Sequence, residues 1–203
     1  MQAKVICITR EFGSGGRTIG KMLADALGYD FYDWNLVQEI AESSGFAKEF
    51  IEENGETTSS ILPWLFKSGN GPDITDQLYM AQRDVIIRLA EKGNCVIVGR
   101  CADYILRERN DVLSCFIYAD EAFKRNRIIN TYGETEVAID KRMKDKDRKR
   151  KAHYQYYTGR KWGLTFYYDV ALNSGRLGIE QCAAVLTFLA KNFEASPKMA
   201  DPD

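Results

Sequence analysis

The chain has 203 residues, of which 45 % are hydrophobic and 28 % charged. That is the make-up of a globular protein long enough to bury one sizeable core, and it excludes collagen, coiled coil and wholesale disorder. Lys+Arg total 28 and Asp+Glu 29, a net charge of -1 without the basic excess of a dedicated nucleic-acid binder.

Residues 3–9 (AKVICIT) are a short apolar, β-branched run that predicts a buried strand. A glycine cluster follows. Residues 17–27 then carry Ile19, Leu23, Ala26 and Leu27 at helical spacing, with Gly28 as the stop. Residues 29–33 predict a short second strand. Residues 34–55 predict one or two helices broken near Ser44-Gly45, and residues 56–73, with Pro63 and the run SGNGP, an irregular and partly mobile segment. Residues 74–92 predict a helix closed by Gly93. Residues 95–98 and 112–118 predict strands, 121–131 and 136–157 helices, 168–173 a last strand and 178–193 an amphipathic closing helix. The polar stretch 195–203 reads as a disordered tail. Short apolar strands alternating with helices predict an α/β fold with a parallel sheet covered on both faces.

The five cysteines, Cys7, Cys95, Cys101, Cys115 and Cys182, have no metal-ligand spacing, and three lie in apolar strand-like runs. They read as reduced thiols of a cytoplasmic protein. No leader-type start and no run of ~18 apolar residues stands in the sequence, so no membrane partner is expected. One histidine, His153, leaves no His-rich metal centre.

The segment Glu11-Phe12-Gly13-Ser14-Gly15-Gly16-Arg17-Thr18 joins the first strand to the first helix, where a phosphate-binding loop belongs. Glycines let backbone N–H groups turn toward an anion, and the helix start adds its dipole. Against the pattern G-x-x-x-x-G-K-[ST], Gly16 and Thr18 match. Arg17 keeps the charge of the lysine, and Glu11 stands at the first glycine. An arginine can hold β/γ-phosphate oxygens as a fork, and Thr18 offers a hydroxyl to Mg²⁺. A dinucleotide fingerprint is the rival reading: Gly13 and Gly15 fit it, Thr18 occupies its third glycine, and Asp33 lies 20 residues after Gly13. It leaves Arg17 and the basic segment below without a role.

A second strand-to-loop junction reads Val96-Ile97-Val98-Gly99-Arg100-Cys101-Ala102-Asp103. Gly99 permits close backbone approach, Arg100 suits an acceptor phosphate, and Asp103 suits a base or ribose edge at the strand's carboxyl end. A plain surface Arg–Asp pair is the alternative. Residues 141–151 (KRMKDKDRKRK) hold eight basic and two acidic residues. Such a run is a solvated helix face, a nucleic-acid patch, or a lid whose arginines neutralise transferring phosphates. Tyr154, Tyr156, Tyr157 and Trp162 downstream either stack a base or pack the lid.

The stretches ITREFGSGGRTIGKMLADALGYDFYD, VIVGRCADYIL, DKDRKRKAHYQYYTGRKWG and YDVALNSGRLGIE, in that order, resemble the cytidylate kinase-like family, a branch of the nucleoside monophosphate kinases. The resemblance runs from residue 8 to residue 180. It implies a P-loop, three-layer α/β/α fold with a five-stranded parallel sheet. Residues 1–194 would form one domain, with an acceptor-binding insertion at about 34–92 and a lid at about 135–165. It implies ATP and Mg²⁺ at Gly13, Ser14, Gly15, Gly16, Arg17 and Thr18, with Thr18 on the metal. It places Asp33, Gly99, Arg100 and Asp103 at the acceptor. Cys101 stands where the family's G-R-D element carries Asp, and Trp34-Asn35 follow Asp33 in place of the usual Ser/Thr-Gly. Arg142, Arg148 and Arg150 are the lid candidates, with Arg150 at the family's D-x-x-R spacing from Asp147.

The reading is a phosphotransferase that moves the ATP γ-phosphoryl group to a nucleoside monophosphate such as CMP or dCMP. Its partners are small-molecule nucleotides, and a homodimer is compatible with it. The alternatives are a non-catalytic nucleotide-binding module, a P-loop kinase for another small-molecule acceptor, and a protein that binds nucleic acid through residues 141–151.

Overall fold

A computed structural model describes residues 2–33, 74–133, 135 and 137–194. Its strands are β1 (Val5–Arg10), β2 (Asp30–Tyr32), β3 (Cys95–Val98), β4 (Val112–Tyr118) and β5 (Val170–Asn173). Its helices are α1 (Gly16–Leu27), α2 (Ile74–Lys92), α3 (Ala102–Ile105), α4 (Glu121–Tyr132), α5 (Ile139–Thr158), α6 (Ser174–Leu177) and α7 (Ile179–Lys191). The expected helices at 34–55, irregular segment at 56–73 and tail at 195–203 lie outside the described residues. No helix among those described is long and apolar enough to cross a membrane.

All five strands are parallel, in the order β2-β3-β1-β4-β5. Alternation along β1 divides its side chains between two faces. Ile6 and Ile8 pack with Ile19 and Leu23 of α1, with Val96, Val98 and Ile117, and with Cys182 and Leu186 of α7. Each fully buried aliphatic there contributes on the order of 1.5–3 kcal/mol. Thr9, of opposite parity, faces Asp103 of α3 and, through it, Tyr154 of α5. Phe116, on the same face of β4, stacks on Tyr168 and meets the edge of Trp162. Helices therefore cover both faces, giving the expected three-layer α/β/α arrangement.

Boundaries shift for local reasons. β1 begins at Val5, because the Ala3 amide bonds the Ala190 carbonyl at the end of α7. The last strand begins at Val170, because Tyr168 closes a 3₁₀ turn over Thr165–Tyr167 with its amide on the Thr165 carbonyl. The Asp169 carboxylate then takes the amide and hydroxyl of Ser114. α5 starts three residues later than expected, after the extended Ala138.

The backbone divides into two compact units, residues 1–33 with 92–203, and residues 34–91. The first holds the whole sheet. In the second, α2 buries Val85, Ile86, Leu89 and Ala90 at helical spacing.

Candidate active site

The carboxyl ends of β1, β2 and β3 point to one edge of the first unit, where the strand-to-helix loops gather. Between β1 and α1 the loop turns at Gly13 (φ +85°) and Gly15 (φ +81°). A side chain at Gly15 would drive a Cβ to 2.2 Å from Ile179 Cδ1. α1 then starts at Gly16 with no side-chain cap and no acidic residue in its first turn. The first N–H groups of a helix have no intrahelical acceptor, and the helix dipole is positive there. The geometry fits an anion.

Glu11 stands in the loop without disturbing it. Its amide donates to the Ile117 carbonyl, and its carbonyl accepts from Ser14 Oγ at 2.9 Å. Its part-buried carboxylate accepts from Lys124 Nζ at 2.9 Å and from the Ala119 amide at 3.3 Å. The position needs no left-handed backbone, so a glycine is dispensable. Thr18 Oγ1 accepts from Arg127 Nη2 at 2.7 Å. Lys124 and Arg127 sit one turn apart on α4, three residues apart and so on one face.

Arg17 reaches from α1 to Asp33, just past β2: its Nε donates to Asp33 Oδ2 at 2.5 Å. Arg10 Nη2 lies 3.8 Å from the other carboxylate oxygen. Burial and the neighbouring Arg150 lower the pKa of Arg10 to about 10, against the opposing pull of Asp33. At the end of β3, Gly99, Arg100 and Cys101 all take positive φ (82°, 59° and 56°). For the two non-glycine residues such backbone costs about 1–3 kcal/mol each, and strain of this kind gathers at functional sites. Burial lowers the Arg100 pKa, and Asp33 opposes that shift. Cys101 Sγ lies 3.6 Å from His153 Nδ1. Burial pushes the thiol up to about 12; burial, and then Arg100, push the imidazole down to about 4. At neutral pH the pair is a thiol and a neutral ring, not a thiolate–imidazolium nucleophile.

Asp103 departs from its expected place. Its side chain is 4 % exposed, with Oδ1 accepting from Thr9 Oγ1 at 3.1 Å and Oδ2 from Tyr154 Oη at 2.6 Å. Both oxygens are spent inside the fold, where they tie β1, α3 and α5 together.

Of the candidate lid arginines, Arg150 comes to the loop. Its Nη1 donates to the Arg10 carbonyl at 3.1 Å and to Asp147 Oδ1 at 3.2 Å. That same Asp147 oxygen accepts the Phe12 amide at 2.7 Å. Arg142 instead donates to the Gly133 carbonyl, and Arg148 to Asp145 on its own helix, both in exposed contacts. The structure thus gathers the Gly13–Thr18 loop, Asp33, Gly99, Arg100 and Arg150, and it leaves Asp103, Arg142 and Arg148 elsewhere.

Residues 5–176 match the cytidylate kinase-like family. The chain belongs to that family. Among solved structures, an uncharacterized protein from Eubacterium ventriosum superposes with a TM-score of 0.68 at 26 % identity, covering 92 % of this chain and 97 % of that one. Shikimate kinases from Bacteroides thetaiotaomicron (TM-score 0.53, 18 % identity, covering 91 % and 97 %) and Acinetobacter baumannii, in complex with shikimate (0.52, 16 %, 92 % and 92 %), share the fold. No curated protein matches the chain. Family and fold together support a P-loop kinase type of phosphotransferase.

Within this cytidylate kinase-like chain, sequence reading missed Lys124 and Arg127. Their only sequence signal is the three-residue spacing on a helix that follows a buried strand. Their partners, Glu11 and Thr18, are over a hundred residues away.

Proposed function

We propose that this cytidylate kinase-like protein transfers the γ-phosphoryl group of ATP to a nucleoside monophosphate such as CMP or dCMP. The observation that carries the reading is the uncapped start of α1 at a glycine loop, with Arg17 held beside it by Asp33. The loop Gly13, Ser14, Gly15 and Gly16 presents amides to the donor phosphates. Arg17 leaves Asp33 for a phosphate oxygen, exchanging one anion for another. Thr18 would hold Mg²⁺; a single neutral hydroxyl suits an ion that keeps waters and takes its other ligands from phosphate. Bound there, the ion supplies charge neutralisation on the phosphate oxygens. Arg127 orients the Thr18 hydroxyl. Asp33, Gly99 and Arg100 receive the acceptor, and Arg150 adds positive charge beside the loop. Catalysis of this type needs positioning and charge neutralisation rather than a covalent intermediate.

Two departures, Glu11 and Cys101, motivate the non-catalytic module; Glu11 is held by Lys124 and the Ala119 amide, which weakens the first of them. The five buried, unbridged thiols support a reducing compartment such as the cytoplasm. A coupled ADP-release assay over a panel of nucleoside monophosphates and small hydroxyl acceptors tests the reading. Acceptor-dependent, Mg²⁺-dependent release, greatest with a pyrimidine monophosphate, is expected. Folded protein that turns over no acceptor in the panel sinks it.

A further inference from the structure

We propose that the outer face of α7 is a self-association surface, on which a second copy of this chain packs its own α7 antiparallel across a two-fold axis. The inference is independent of the kinase reading.

α7 is apolar on two sides. Its inner side buries Cys182, Ala183, Leu186 and Ala190. A surface helix ordinarily turns polar and charged residues outward. α7 instead turns out Ala184, Val185 and Phe188, with Val185 39 % and Phe188 66 % exposed. Its charged residues, Glu180 and Lys191, stand one near each end. The outward residues of α5, by contrast, include Lys144, Arg148, Lys149 and Lys151. The apolar face of α7 continues sideways as a groove toward α1, lined by Met22, Ala26, Thr187 and Phe188. On α1 the neighbouring charges, Lys21 and Asp25, pair with each other.

The face is self-complementary, as a two-fold interface requires. Residues three and four apart share a helix face, so Gln181, Ala184, Val185 and Phe188 outline a hole that accepts a knob from a facing helix. An antiparallel two-fold axis between Val185 and Leu186, the middle of α7, sets Phe188 of each copy over that hole in the other. Ala184 at the crossing point lets the helices approach closely. Lys191 follows Glu180 by eleven residues, close to three turns, so both lie on one side of the helix. The same axis brings Glu180 of each copy to Lys191 of the other. Both side chains are exposed, and among the described residues neither has an ion-pair partner in its own chain. A parallel pairing sets Glu180 on Glu180 and Lys191 on Lys191, so charge selects the antiparallel one.

The size of the face sets the strength. α7 has 13 residues, about 20 Å of helix, and α1 lies beside it at roughly the 8–10 Å spacing of packed helices. Their footprint is on the order of 400 Å² per chain before side-chain relief is counted, at the small end of specific interfaces. Association is therefore reversible, with Kd in the micromolar range. Phe188 lies roughly 13 Å along the helix from Ile179, the residue against Gly15, so the face stands apart from the glycine loop.

Sedimentation velocity of the full chain over about 1–200 µM tests this, with melting curves as the folding control. Wild type is expected to pass from monomer to dimer as concentration rises. Phe188→Glu, at an exposed position, is expected to weaken association at least ~30-fold, as for loss of a central anchor. Glu180→Lys and Lys191→Glu each set like charges together and are each expected to weaken self-association about 10-fold or more. An equimolar mixture of those two variants restores the dimer, because each then meets its opposite charge. Wild type that stays monomeric throughout, a dimer that Phe188→Glu leaves intact, or charge variants that do not recover on mixing overturns the surface. A dimer that never turns over fails the kinase reading alone, and turnover by a strict monomer fails the surface alone.

Discussion

Arg17 donates from Nε to Asp33 Oδ2 across 2.5 Å, joining the first turn of α1 to the residue after β2. The arginine side chain is 65 % exposed and that of Asp33 16 %, so solvent screens the pair from the arginine side and it stabilises the fold by on the order of 1 kcal/mol. On the proposed function its value is positional: it would park a fork at the mouth of the loop until a phosphate displaces the carboxylate. Arg17→Ala is therefore expected to cut kcat/KM by at least ~100-fold, as for loss of a charge-stabilising donor, while Tm barely moves. Steady-state kinetics with a parallel melting curve check it. A variant that unfolds, or one that keeps full activity, contradicts this assignment.

Asp103 has the opposite character. Its two oxygens serve Thr9 and Tyr154, and nothing of it reaches solvent chemistry. Asp103→Ala strands two buried hydroxyl donors and is expected to destabilise the protein by about 2–4 kcal/mol, and Tyr154→Phe by about 1–3 kcal/mol. Urea unfolding measures both. The acceptor KM of the folded fraction should be unchanged, which separates a structural carboxylate from a binding one.

Replacing Glu11 by the glycine of the usual pattern is expected to harm. Lys124 is nearly buried, and Glu11 is its ion-pair partner at 2.9 Å. Glu11→Gly leaves that ammonium without its carboxylate and costs about 1–3 kcal/mol, with no gain in ATP affinity. Denaturant midpoints and ATP titration, compared with Lys124→Met, read the effect.

His153 gives a pH signature. Burial, and then Arg100, hold its folded pKa down at about 4, against 6.5 in an unfolded chain. As pH falls through 6.5 the unfolded chain takes a proton that the folded ring refuses, so stability drops between pH 6.5 and about 4. The loss is at most about 3 kcal/mol at 1.36 kcal/mol per pH unit. Asp103 and Asp147, whose pKa values burial raises, bend the curve the other way in acid. The difference between wild type and His153→Gln therefore isolates the ring. Parallel curves from pH 7 to 4 would mean that the imidazole is solvated.

The strands and helices of the first unit were legible because their signals are local. The apolar runs CVIV and VLSCFIY became β3 and β4 residue for residue, and Gly28 closed α1 with φ +69°. The loop was legible from Gly13 to Thr18 for the same reason: spacing between a strand and a helix is written along the chain. Burial of polar groups is not. Asp103 follows a glycine and an arginine at a strand end and reads like a surface acid, but Thr9, 94 residues away, and Tyr154, 51 away, claim it. The basic run 141–151 reads as one lid, yet helical geometry turns Arg150 to the loop while Arg148, two residues before it, pairs with Asp145. Arg127 and Lys124 were invisible because what ties them to the loop is a distant partner, Thr18 on α1 or Glu11 in the loop after β1.

The central claim is that the Gly13–Thr18 loop hands a phosphoryl group to an acceptor. The most direct measurement is the stoichiometry of ADP and phosphorylated acceptor formed from ATP·Mg²⁺ by wild type and Arg17→Ala. One phosphorylated acceptor per ADP from wild type, and loss of both products together in the folded variant, is the result expected. ATP that binds but yields no phosphorylated acceptor, or yields it undiminished without Arg17, contradicts the claim.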